Sequence, residues 1–200
     1  MARPRKNEHS EMATVKIENA FWKLLETEKY SDITVLRVSQ ESGVNRNSFY
    51  YHYSGMDDLA YQAFKHNAED EASKTLISAF LSLLQSEDTE AAPIVDKSIL
   101  PHSKRIMLCA GSESPYLNQL VSEFLKKIWL ESFSIKEELL TTEEKLQINF
   151  IFAGVIATLG SHEIQDSPFS MLNLAQTEIG KAMLSTLQKI SLSQRVVNER

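Results

Sequence analysis

Residues 34–53 read TVLRVSQESGVNRNSFYYHY. Val35 and Val38 recur at helical spacing behind Thr34, whose hydroxyl suits a helix N-cap. Gly43 breaks the pattern and can supply the positive φ that a tight turn often needs, with Val44 packed beneath it. Asn45 is a second cap, opening a helix from about Arg46 to His52. Phe49 and Tyr53, one helical turn apart, anchor that helix to a core. Its outer face then carries Arg46, Asn47, Tyr50 and Tyr51, with Asn45 and Ser48 at the edge. A short helix, a turn containing glycine and a second short helix make the helix-turn-helix pattern. The outward side chains suit DNA, since Arg bonds guanine in two places, Asn does the same for adenine, and hydroxyls reach phosphate or base edges. Pattern alone leaves a plain packing unit with a solvated polar face as the other reading.

On both sides of this stretch the apolar residues keep helical spacing. Ala13, Ile17, Ala20, Phe21, Leu24 and Leu25 predict a preceding amphipathic helix that ends in the polar stretch Glu26–Asp32. Downstream, Ser54 and Asp57 have capping-box spacing and open a long pattern through Leu59, Ala63, Phe64, Ala68, Ala72, Leu76, Phe80 and Leu84. Gln85–Ala92 is polar and acidic, a loop candidate. Further helices are expected over Ala91–Ser98, Ser103–Ala110, Pro115–Glu131, Thr142–Ser161 and Pro168–Leu187. Ser114-Pro115 and Ser167-Pro168 mark two starts by placing a cap before a proline, and Thr141 with Glu144 forms a second capping box. No internal repeat is present. The expected class is all-α, with residues 1–55 as a three-helix N-terminal unit and 56–200 as a larger helical domain.

A formal net charge of −6 looks wrong for a DNA binder until the charge is located. Met1–His66 holds nine basic and nine acidic residues, and the remainder holds twelve and eighteen, so the acidity is downstream. Arg3, Arg5 and Lys6 form a short basic arm, and solvent screens distant charge beyond about 8–10 Å. Such an arm reads either as a minor-groove contact or as a solubilising tail. The single cysteine, Cys109, excludes an intrachain disulfide and reads as a buried small hydrophobe. The polar start has no apolar signal region, and Phe150–Leu159 is about half the roughly 20 residues that a spanning helix needs. The expectation is a cytoplasmic protein without membrane contact.

The run from Tyr30 to Tyr53, with Asp57-Asp58-Leu59 after it, resembles the DNA-binding domain of the tetracycline-repressor (TetR) family of bacterial transcriptional regulators. The Thr opening the first short helix, the Gly-Val turn and the apolar–Tyr–aromatic–His–aromatic block carry the likeness, over roughly Ile17–Leu59. The resemblance implies phosphate contacts from Thr34, Ser48, Tyr50 and His52, base reading by Arg46, Asn47 and Tyr51, and a further contact from Arg37; Asn45, at the edge of the outward face, joins the DNA-binding candidates by its position. Met56 stands where the family usually has Lys, and Arg37 and Ser39 replace a commoner acid and Ala.

The resemblance also implies a homodimer built on the last two helices, which here carry Phe152, Gly154, Val155, Leu159, Leu172, Ala175, Ile179 and Met183. The small residues Ala153, Gly154, Ala157 and Gly160 would let another helix approach closely. Both stripes could instead face only the intrachain core. His102, Met107, Tyr116, Phe124, Trp129 and Phe133 lie on the middle helices, where such proteins hold a small, mostly apolar effector, although aromatic and Met residues at this spacing also build ordinary cores.

Enzyme signals are weak. The five histidines lack metal-ligand spacing, no phosphate-binding glycine loop is present, and paired acids such as Asp57-Asp58 and Glu143-Glu144 suit helix starts. The sequence therefore predicts no catalytic residues, no metal and no cofactor. It predicts a repressor released from a palindromic double-stranded operator by an effector. The alternative is a protein of the same fold that acts through protein contacts.

Overall fold

A computed structural model describes residues 6–69, 78, 82, 100–161, 174 and 176–198. It is helical throughout, with no strand among the described residues. Eight helices are described: α1 (Lys6–Leu25), α2 (Val35–Ser42), α3 (Arg46–His52), α4 (Met56–Glu69), α5 (Leu100–Ala110), α6 (Pro115–Ser132), α7 (Thr142–Leu159) and α8 (Glu178–Asn198). Single 3₁₀ turns occupy Tyr30–Asp32 and Glu137–Leu139. Among these residues no helix is long and apolar enough to cross a membrane.

Most helix starts follow local chemistry. The Ser114 hydroxyl accepts from the Leu117 N–H ahead of Pro115, and Thr141 and Glu144 close a reciprocal capping box. That box, led by the Thr141 backbone N–H, holds the Glu144 carboxyl below the usual carboxylate range. The start of α4 differs from expectation. Because the helix begins at Met56, Asp58 rather than Asp57 stands in its third position, and its carboxylate accepts from the Ser54 backbone N–H at 2.8 Å and hydroxyl at 3.1 Å. Asp57 is left to accept the Tyr30 hydroxyl at 2.6 Å.

Three boundaries also depart from the sequence reading. Helix α1 begins at Lys6, ahead of its apolar stripe, because its opening residues KNEHSE are all polar and carry no apolar spacing to read. The expected helix Pro168–Leu187 is interrupted at Thr177, whose hydroxyl accepts from the Gly180 N–H as α8 begins. At the other end α8 continues to Asn198, docked by buried polar groups. Gln194 accepts from the Lys136 N–H at 2.8 Å and donates to the Lys136 carbonyl at 3.0 Å, and Ser191 donates to the Phe133 carbonyl at 2.6 Å. The expected helix Ala91–Ser98, the Gln85–Ala92 loop, the Ala72–Leu84 pattern apart from two isolated helical positions, and the Ser167-Pro168 start lie outside the described residues.

The buried residues form one core. It holds Ile17, Phe21 and Leu24 of α1 with Val38, Phe49 and Leu59. It continues through Leu117, Val121 and Trp129 of α6, Ile148, Phe152 and Val155 of α7 and Leu187 of α8, with Trp129 edge-on to Phe152 at 5.4 Å. Cys109 of α5 is fully buried, and burial pushes its thiol up to about 12.

Candidate nucleic-acid interface

Helix α3 has only seven residues, too short to persist alone in water, so its neighbours must hold it. Phe49 is fully buried beneath it. Tyr53 follows it, packed 5.5 Å from Phe49 with its hydroxyl donating to Glu18 of α1 at 2.9 Å. The Asn45 side chain accepts from the Ser48 N–H at 2.9 Å, and Thr34 accepts from the Arg37 N–H at 3.2 Å to cap α2. Gly43 links the two helices at φ 67°, in the left-handed region that disfavours any side chain. Asn45→Ala and Thr34→Ala should each destabilise the protein by about 1 kcal/mol in urea unfolding, because each leaves a helix N–H without its partner.

With Phe49 and Tyr53 inward, Asn45, Arg46 and Asn47 are exposed, and Ser48 and His52 are half-buried. Tyr50 is 57% and Tyr51 74% exposed, unusual for large aromatic side chains. Helix α3 contains no carboxylate, and Arg46 forms no ion pair among the described residues. The face is therefore a ridge of one guanidinium, two amides and two phenols on a rigid support. Thr34 is exposed at the start of α2, beside it in sequence.

Arg37 departs from this pattern. Its guanidinium is held by Glu28, at 2.5 and 3.2 Å, so a phosphate would have to compete with a carboxylate already in place. Glu28 belongs to the polar stretch between α1 and α2, and no local sequence signal links it to Arg37. Arg3 and Arg5 lie outside the described residues.

The six middle-helix candidates are not brought together. Met107, Trp129 and Phe133 are buried packing residues, and His102 is half-buried on α5, where its carbonyl accepts from Asn67 of α4 at 3.1 Å. Tyr116 instead stacks on Tyr30 at 6.4 Å. Of the six, Phe124 alone lines a cleft of about 780 Å³ between α4 and α6, with Phe64, Ala68, Leu120 and Ile128 among its apolar walls.

Half of the expected dimer stripe lies inside the subunit. Phe152, Val155, Leu159 and Met183 are buried within the subunit, because they pack against the other helices of the same chain. Gly154 and Ile179 are exposed, and Leu172 and Ala175 lie outside the described residues. Gly160 is not part of an open face either, since a Cβ there would stand 2.7 Å from the Ala110 carbonyl oxygen. What α7 exposes is a second stripe: Leu146 (65%), Phe150 (83%), Ala153 and Ala157, with Gly154 beside it. Ile179 and Ala182 are exposed on α8.

Comparison with protein-family models, with curated proteins and with solved structures yields no match to this chain.

Proposed function

We propose that this protein is a sequence-specific DNA-binding transcriptional regulator in which α2, the Gly43 turn and α3 act as a helix-turn-helix and α3 enters the major groove. The observation that carries the reading is the exposed, carboxylate-free face of α3, with Arg46, Asn47, Tyr50 and Tyr51 outward and Phe49 inward. Arg46 and Asn47 are the base readers, with Tyr51 beside them. Thr34, Ser48, Tyr50 and His52 contact phosphate and fix the register, a task that carries no sequence information itself. The likeness to the TetR family supports the same assignment. Arg37 takes part only where phosphate displaces Glu28.

The regulator works as a homodimer, whose two-fold axis would match paired half-sites on the operator. The partner surface is the exposed stripe of α7, centred on Phe150 and flanked by Gly154, with Ile179 of α8. Phe150→Glu should therefore convert the dimer to monomer in sedimentation, with the helical circular dichroism unchanged. A small apolar effector would occupy the cleft between α4 and α6. It releases the operator only as far as it binds the released arrangement more tightly.

Gel-shift titration of the full-length protein against the DNA preceding its own gene tests the reading. Arg46→Ala should lose about 1–3 kcal/mol of discrimination between cognate and scrambled duplex, whereas Tyr50→Phe should weaken both alike. Equal loss on both duplexes in the Arg46 variant would remove Arg46 as a base reader.

A further inference from the structure

The turn between α5 and α6, Gly111–Ser114, is lodged between two parts of the molecule. On one side Lys29 pairs with Glu113 at 2.8 Å, and Tyr30 stacks on Tyr116 in the first turn of α6. On the other, Gly160 at the end of α7 admits the Ala110–Gly111 backbone, which a Cβ would meet at 2.7 Å. Helix α5 adds Arg105, 5.3 Å over the Trp22 ring, and Lys104, 3.1 Å from Glu26. These links join α1 and the turn before α2 to the later helices.

They are not equal in strength. Lys29 and Glu113 are 63% and 76% exposed, and exposed ion pairs contribute little. The stronger connection converges on Asp57, in the first turn of α4 and a few residues after α3. Tyr30 donates to its carboxylate at 2.6 Å, a charge-assisted bond, and Tyr116 donates to its backbone carbonyl at 2.9 Å. Burial first, and then Asp57, raises the Tyr30 hydroxyl far above its ordinary value, so it remains a donor. Three separate segments thus meet at one residue, and that residue begins the helix that follows the exposed ridge.

We infer that Asp57 is a joint through which Tyr116 and Tyr30 set the angle of α2 and α3 against the rest of the subunit. Tyr116 and Tyr30 are positioning residues, acting through α4 without touching any ligand of α3. Movement of the first turn of α6 would then be passed to α3 directly. The consequence for DNA rests on the function proposed above, but the joint itself does not.

The test is a spin-label distance measurement on the full-length chain without DNA. Labels are attached through Gln40→Cys on α2 and Lys127→Cys on α6, both exposed positions, and labelled protein is diluted in unlabelled protein so that only within-chain pairs count. Tyr116→Phe combined with Asp57→Ala should broaden the distance distribution on the order of twofold by releasing alternative arrangements, with helical circular dichroism retained. Asp57→Asn keeps the acceptor oxygen and should restore the original width when it replaces Asp57→Ala in a chain with Tyr116 intact. An unchanged width in the folded double variant overturns the joint. If the double variant loses its helical signal, Tyr116→Phe alone, which deletes one oxygen, decides by the same criterion. Broadening in the variant, alongside an unmutated chain that binds no duplex, would keep the joint and defeat the DNA reading, so the two failures are distinguishable.

Discussion

Phe49→Ala should destabilise the protein by about 3–5 kcal/mol and abolish any activity that depends on α3. The ring is fully buried, edge-on to Tyr50 at 5.4 Å and tilted against Tyr53 at 5.5 Å. Deleting it removes transfer free energy and leaves a cavity beneath a seven-residue helix that has no independent stability. Against a total of about 5–15 kcal/mol for a typical domain, that loss is a large fraction. Tyr50→Ala, one residue along on the exposed side, should change stability by about 0.5 kcal/mol or less. Urea unfolding of the two variants side by side checks the contrast. Comparable losses would mean that α3 is not seated as described.

Gly160→Ala should cost about 1–3 kcal/mol, a large effect for one methyl group. The added Cβ would stand 2.7 Å from the Ala110 carbonyl oxygen and the Gly111 Cα, and 2.8 Å from the Ala110 carbonyl carbon. All three are backbone atoms, so the turn between α5 and α6 must move as a body rather than by a side-chain rotation. Gly154→Ala is the control, because nothing lies within 4 Å of its Cβ and its helix position favours Ala by about 1 kcal/mol. Thermal melts at low protein concentration should therefore move in opposite directions for the two glycines. A Gly160 variant as stable as the parent would show that α7 does not press on this turn.

What the sequence revealed was mostly local. Thr34, Asn45, Ser114 and Thr141 announce their helices because each cap acts on a backbone N–H within its own first turn. The inward face of α3 was legible too, since Phe49 and Tyr53 are one turn apart in an otherwise polar helix. Helix α7 shows the opposite case. It is apolar on two sides, with Ile148, Phe152 and Val155 on one and Leu146, Phe150 and Ala157 on the other, and no residue in it says which side the chain will bury. The packing of α5, α6 and α8 makes that choice. Gln194 and Ser191 hid the end of α8 because polar residues do not register in an apolar pattern, although their partners lie across the fold. The pairing of Arg37 with Glu28, and the meeting of Tyr30 and Tyr116 on Asp57, likewise join segments that only the tertiary arrangement brings near.

An exposed face of α3 that reads duplex DNA should select its site from a pool of random duplexes. Repeated capture by the purified full-length protein should enrich two inverted half-sites, with centres about 10 base pairs or a multiple apart. Binding to the enriched sequence should fall at least about tenfold between 50 and 200 mM salt as counterions are released. The Arg46→Ala protein should relax the choice of base at one position in each half-site. A pool that remains random after selection by folded protein would mean that α3 does not read DNA.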